Sequence, residues 1–326
     1  ALGEKRVKKT MQALNRCDCA VLVVDGTKGL GDTEKELIDL FKKKEIPYLI
    51  VYNKSDLSEG APDDGIAVSA ETGENIHLLK ERIARLVNTN EEGRKLVADL
   101  VHPGDLIVLV VPIDTAAPKG RLILPQQQTI RDVLDAGGVA VVLKEDELAA
   151  ALPLLAKKPT MVITDSQVFS RVSRETPDEI ALTSFSILMA RYKGFLPAAV
   201  AGAAQLKSIE NGDKILIAEG CTHHRQCDDI GTVKLPRWIR NYTGKEPEFV
   251  FTSGREFPED LSAYRLVIHC GGCMLNEREM RYRMKSTLDA GVPFTNYGTA
   301  IACMNGILKR SLRLFPDLEK LVPEGN

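Results

Sequence analysis

Tyr48-Leu49-Ile50-Val51-Tyr52-Asn53-Lys54-Ser55-Asp56 begins as an unbroken apolar run and ends in a polar tetrapeptide. A run this rich in β-branched and aromatic residues suits a strand buried on both faces. Ala20-Val21-Leu22-Val23-Val24 has the same character, and residues 34–44 between the two runs have helical spacing. Strand, helix and strand in that order predict a crossover and hence a parallel sheet. Residues 67–73, Ala-Val-Ser-Ala-Glu-Thr-Gly, put a second polar segment after another short strand. Open parallel sheets bind ligands beyond the carboxyl ends of their strands, so a carboxylate and an amide there could read a base edge.

The same alternation continues through the 326 residues, a length that suggests two or three domains. Strands are predicted at 106–111, 139–143 and 161–164, with helices near 129–136 and 145–157 and an edge strand at 121–124. A third stretch has helices at 184–190, 197–208 and 276–290, and strands at 214–218, 249–252, 265–268 and 293–296. Glu91-Glu92-Gly93-Arg94 is a polar break. The expectation is an α/β chain of three consecutive domains with mainly parallel sheets, at 1–92, 93–180 and 181–326.

Apolar residues make up 44%, charged residues 27%, and the net charge is -2. That balance gives no basic field for nucleic acid, and no apolar run is long enough to cross a bilayer. Glu4, Lys5, Arg6, Lys8 and Lys9 interrupt the opening residues before any apolar run, unlike a secretory signal, so the cytoplasm is expected. The middle domain shows no phosphate loop, Cys/His cluster or nucleophile, and Asp114, Asp165 and Asp178 read as turn formers. A sheet so small buries little alone, which makes pairing with a second copy its expected role.

Seven cysteines are too few and too odd in number for a disulfide scaffold. Two groups stand at strand ends: Cys221-Thr222-His223 after 214–218, and His269-Cys270-Gly271-Gly272-Cys273 after 265–268. In a parallel sheet these ends converge on one crevice. Cysteine thiolates are soft ligands, and Cys-x-x-Cys brings two to one polynuclear centre. Gly271 and Gly272 let backbone N–H groups approach cluster sulfides, and a helix N-terminus just after Cys273 favours negative charge. These features favour an iron–sulfur cluster on Cys221, Cys270 and Cys273. A zinc-stabilised interaction module, with His223 or His269 as the fourth ligand, fits the same residues. Cys227 is a spare thiol or a further ligand, and His224 ranks below His223. Cys17, Cys19 and Cys303 read as core residues, and His77 and His102 as surface or packing residues.

Asn53-Lys54-Ser55-Asp56 together with Ser69-Ala70 resembles the guanine-recognition motifs of translation-factor-like GTPases. The resemblance implies that Asp56 accepts from guanine N1 and N2, that Asn53 braces the loop, that Lys54 lays its stem along the base, and that the Ala70 N–H donates to O6. No Gly-x-x-x-x-Gly-Lys-Ser/Thr occurs, nor an Asp-x-x-Gly beside the first strand. The expectation is therefore that 1–92 is the C-terminal part of a GTPase domain, that this chain is inactive, and that GTP and Mg2+ belong to the full-length protein.

A GTPase half, a plain α/β domain, then Cys-x-His and a distant His-Cys-x-x-Cys resemble the GTPase maturation factor of FeFe hydrogenase, the HydF family. That resemblance implies a cytoplasmic homodimer or higher oligomer holding a 4Fe-4S cluster through Cys221, Cys270 and Cys273. It further implies a scaffold or carrier for the di-iron subcluster, with the immature hydrogenase and two radical-SAM maturases as partners. Three thiolates leave one iron open to exchange, with His223, His269, Glu219, Asp228 or water as its occupant. Arg225, Arg278 and Arg281 are candidates for attracting an anionic precursor.

Overall fold

The computed structural model describes residues 13–14, 17–57, 64–86, 95–113, 122–220, 229–254 and 256–322. They form an α/β chain with three sheets in which every paired strand runs parallel. The chain divides into two compact units, 1–93 and 94–326.

In the first unit, β1 (Ala20–Asp25), β2 (Tyr48–Asn53) and β3 (Ile66–Val68) lie in that order, with Asp25 opposite Asn53 and Asn53 opposite Val68. Helix α1 (Asp32–Lys43) opens on Asp32 and Glu34 and closes on Lys42 and Lys43, charges that complement its dipole. It buries Ile38 and Phe41 in the core that holds Leu22, Val24, Ile50 and Tyr52. Helix α2 (Ile76–Leu86) follows β3. Val23 is 61% exposed, so β1 is not buried on both faces as its apolar run suggests.

The second unit holds two four-stranded sheets of identical topology. One has the order β5-β4-β6-β7, from β4 (Leu106–Val110), β5 (Val139–Leu143), β6 (Met161–Thr164) and β7 (Ala181–Ser184). The other has the order β11-β10-β8-β9, from β8 (Lys214–Ala218), β9 (Glu248–Thr252), β10 (Leu266–His269) and β11 (Phe294–Asn296). In each, the first strand pairs with the second on one side and the third on the other. The winding direction therefore reverses between first and third strands, and a crevice opens at that switch point beyond their carboxyl ends.

Helix α3 (Leu124–Asp135) starts earlier than its periodicity suggests, because Pro125 sits in its first turn, where a missing N–H does no harm. Of the expected edge strand at 121–124, Arg121 lies outside the described residues and the rest is not a strand: Leu122 and Ile123 lead into α3, and Gln126 accepts the Ile123 N–H at 3.1 Å. The expected helix at 145–157 is cut to the turn Leu148–Ala151 and the tight turn Leu152–Leu154, which contains Pro153. Helix α4 (Phe169–Glu175) and strand β7 went unread; β7 pairs with β6 beyond residue 180, where the sequence reading ends its middle domain.

Helices α5 (Phe185–Tyr192), α6 (Leu196–Ala204), α7 (Leu235–Thr243), α8 (Glu277–Asp289) and α9 (Tyr297–Met304) follow, with the short helices Leu308–Ser311 and Pro316–Glu319 after them. One core joins Val108, Val162 and Leu182 of the first sheet to Ile215, Val267 and Phe294 of the second. The middle sheet thus meets its burial need within its own chain, which removes the burial argument for pairing with another copy. Within the second sheet's layer, α6 packs tightly on β11: a Cβ on Gly202 would lie 2.1 Å from the Phe294 carbonyl oxygen, so only glycine fits.

Candidate functional sites

In the first unit the strand ends align Asp25, Asn53 and Val68. Lys54 adopts φ +70° and its Nζ donates to Asp25 Oδ2 at 2.7 Å. That bond, followed by those from Thr27, holds the Asp25 carboxyl well below the usual range. Asp56 is exposed in the turn Ser55–Leu57, free to accept from a ligand. Ser69 is fully buried, and its Oγ accepts the Thr72 N–H at 3.1 Å, which fixes the turn that carries Ala70. Asn53 Oδ1 accepts the Ala70 N–H at 3.0 Å, so the brace occupies the donor expected to meet guanine O6. Asp25 is the residue the sequence reading missed; its only signal was a carboxylate ending an apolar strand.

In the second unit the register sets Ala218 beside Thr252 and His269, and His269 beside Asn296, so the four strands end level. Cys270 continues β10, its N–H donating to the Ala218 carbonyl at 2.8 Å. Its Sγ accepts from the Gly220 N–H at 3.1 Å and the Gly272 N–H at 3.4 Å. Such donors stabilise a thiolate and tune a metal-bound sulfur. Gly272 has φ +60°, and a Cβ there would meet Met280 Sδ at 2.4 Å; Gly271 has open space by comparison. Cys221, His223, His224, Arg225, Cys227 and Asp228 lie outside the described residues. Among the described residues no three ligand side chains gather, as expected where the third cysteine is not among them.

Both ring nitrogens of His269, the other candidate for the open position, have polar neighbours in this structure. It is fully buried, with Nδ1 2.8 Å from the Cys270 carbonyl oxygen and Nε2 3.1 Å from Arg283 Nη1. The carbonyl accepts only from a protonated Nδ1, and the guanidinium donates only to a bare Nε2, so neither nitrogen has a lone pair to offer a metal. Burial first, then the Arg283 charge, push its pKa down to about 3. Arg283, also fully buried, donates from Nε to Glu279 Oε1 and from Nη2 to the Gly254 carbonyl, both at 2.8 Å, and stacks over Phe257. This network braces the floor beneath the cysteine loop. The sequence reading passed over Arg283 in favour of Arg278 and Arg281, and Arg281 is exposed and paired with Glu277.

The helix following Cys273 starts only at Glu277, and Asn276 Oδ1 takes the Glu279 N–H at 2.9 Å. With Glu277 and Glu279 in its first turn, this end is already served with negative charge. The cation beside the loop is Lys193, at the end of α5: its buried Nζ donates to the Gly272 carbonyl and, at 2.6 Å, to the Leu275 carbonyl. Burial lowers the Lys193 pKa, opposed by the Cys273 and Cys270 sulfurs and Glu277. Glu219, buried at the end of β8, accepts from Tyr297 Oη at 3.2 Å. Burial, then the Glu219 charge, hold the Tyr297 phenol well above its ordinary range. Cys303 is core, as read, whereas Cys17 and Cys19 are half-buried; His77 and His102 are exposed.

With this geometry in place, comparison with known proteins is informative. The hydrogen maturase F dimerization domain matches residues 96–194, and the hydrogen maturase F tetramerization domain matches residues 197–314. The chain belongs to the hydrogen maturase F family. The two matches meet at 194–197, between α5 and α6. The elongation factor Tu GTP binding domain matches 4–136, overlapping the dimerization domain over 96–136. In the structure β4 and α3, which lie in this overlap, belong to the second compact unit, 94–326. The tRNA modification GTPase MnmE of Dichelobacter nodosus is 31% identical over 94 residues, 27% of this chain and 21% of that protein. The Streptococcus pyogenes serotype M5 counterpart is 33% identical over 89 residues, 26% of this chain and 19% of that protein. GTPase Der of Thermosipho africanus is 25% identical over 270 residues, 74% of this chain and 55% of that protein. The chain thus spans about a fifth of the MnmE relatives and about half of GTPase Der. As a hydrogen maturase F chain it carries the family's self-association domains behind GTP-binding sequence, and no helix among the described residues is long and apolar enough to cross a membrane.

Proposed function

We propose that this chain is a scaffold for FeFe-hydrogenase maturation, on which a 4Fe-4S cluster held by Cys221, Cys270 and Cys273 keeps one iron exchangeable for a di-iron precursor. The observation that carries the reading is the bond from the Gly220 N–H to Cys270 Sγ, which brings the residue before Cys221 onto the Cys-x-x-Cys loop at the sheet's switch point. The donor set fits the cluster, with soft sulfurs, two N–H groups on one of them and a buried ammonium nearby. The cluster would supply the exchangeable iron. The residues around it hold the thiolates, exclude water behind them through the Arg283 network, and leave His269 out of the exchange. His223, Glu219, Asp228 or water then remain for the open position. Family domains and the level strand ends support the reading, as does guanine-motif geometry for nucleotide control in the full-length GTPase with Mg2+. Its partners would be a second copy, two radical-SAM maturases and the hydrogenase, in the cytoplasm.

Anaerobic reconstitution followed by iron, sulfide and zinc analysis and EPR of the reduced protein tests the proposal. Four irons per chain, lowered by serine at Cys221, Cys270 or Cys273, is expected. Stoichiometric zinc without iron uptake, or full cluster retention in all three serine variants, overturns it.

A further inference from the structure

We propose that Lys193 is the positioning residue of the cysteine loop: its buried ammonium clamps the Gly272 and Leu275 carbonyls and thereby holds Cys270 and Cys273 for an anionic cluster. The inference rests on the cluster reading and adds to it a residue from outside the cysteine motifs. Lysine is seldom buried without a partner, and here both partners are carbonyls that flank Cys273. An ammonium offers three donors and no acceptor, so it gathers carbonyls that would otherwise diverge. Lys193 follows α5, which contributes Phe185, Leu188 and Met189 to a core shared with Ile107 and Leu109 of β4. The clamp therefore anchors the loop to the middle sheet, the portion matched by the dimerization domain.

Its reach extends to the other cysteine strand. Leu275 lies so close to Gly220 that a Cβ on residue 220 would be 2.7 Å from Leu275 Cγ. Gly220 in turn donates to Cys270 Sγ. Fixing the Leu275 carbonyl thus fixes the surface on which the residue before Cys221 rests. The charge matters as well. Thiolates and sulfides make the cluster negative, and a cation held in a poorly hydrated position acts on it with little screening. The α8 end, already capped and acidic, does not supply that charge.

The test uses the full chain in two states. In the cluster-free protein, Lys193→Met is expected to speed amide hydrogen exchange across residues 270–276 at least tenfold while the core strands stay protected, and Lys193→Arg is expected to recover part of the protection. In the reconstituted protein, Lys193→Met is expected to move the cluster midpoint potential, read by EPR-monitored titration, to a more negative value, with Lys193→Arg near the parent. Unchanged exchange in Lys193→Met overturns the clamp whether or not iron binds, and an unchanged midpoint overturns the charge role. If exchange accelerates but the parent takes up no iron, the clamp stands and the cluster reading falls. Should Lys193→Met fail to fold, Lys193→Gln reads the same two quantities.

Discussion

The Gly220 N–H donates to Cys270 Sγ at 3.1 Å across a separation of 50 residues, tying the end of β8 to the cysteine loop. Gly220→Ala would force Leu275 aside, and Leu275 is held through its carbonyl by Lys193. Crowding of this kind costs about 1–3 kcal/mol. The expected outcome is that loss of stability in urea unfolding, together with reduced iron uptake on reconstitution. A variant with the parent's stability and iron content would show that the loop yields freely.

Arg283 gives a sharper energetic contrast. Removing it takes the guanidinium away from the buried Glu279 carboxylate, from His269 Nε2 and from the Gly254 carbonyl. Arg283→Met is expected to destabilise the protein by about 3–5 kcal/mol. The double variant Arg283→Met, Glu279→Met is expected to be more stable than the single one, since it also removes the buried carboxylate that faces the guanidinium. Denaturant unfolding of the three proteins measures both differences, and equal losses in the single and double variants would mean the ion pair is not what matters there.

The strands were legible because β8 and β10 are continuous apolar runs, and their parallel pairing follows from the helices between them. The meeting of the end of β8 with Cys270 was legible for the same reason, while Cys221 itself lies outside the described residues. What sequence could not show was which polar neighbours the fold would bury. His269 looked like a ligand because it adjoins Cys270, yet alternation along β10 turns its ring into the core beside Arg283. Lys193 carries no signal at all, since its partners are backbone carbonyls roughly 80 residues away, and backbone groups leave no trace in composition. The misread stretch at 121–124 has a local cause: apolar residues before a proline read as a strand, although Pro125 in fact opens a helix.

Asp25 is expected to act on guanine binding through Lys54. The ion pair is partly exposed, so Asp25→Asn should weaken GDP affinity by about tenfold at most, in a form of the protein that includes a phosphate-binding loop. Asp56→Ala removes a carboxylate that would accept directly from the base, and the loss there should be larger, about 1.5–3 kcal/mol. Titration calorimetry with GDP compares the two; a larger effect at Asp25 would contradict the guanine assignment of Asp56.

Self-association has a defined candidate edge. Strand β7 is buried along most of its length, whereas β5 lies at the other margin of its sheet with Val139 50% and Val142 45% exposed. Its sequence, Val139-Ala140-Val141-Val142-Leu143, carries none of the charges that natural edge strands use to discourage pairing. A twofold axis would place two such edges antiparallel, letting their free N–H and C=O groups pair while the valines pack together. Val142→Lys places a charge on this edge without touching the core. The expected result is a dimer dissociation constant raised at least tenfold in sedimentation equilibrium, with unfolding unchanged for the monomer. Should Val142→Lys dimerise as the parent does, this edge is not the contact, and the dimerization domain must use another face.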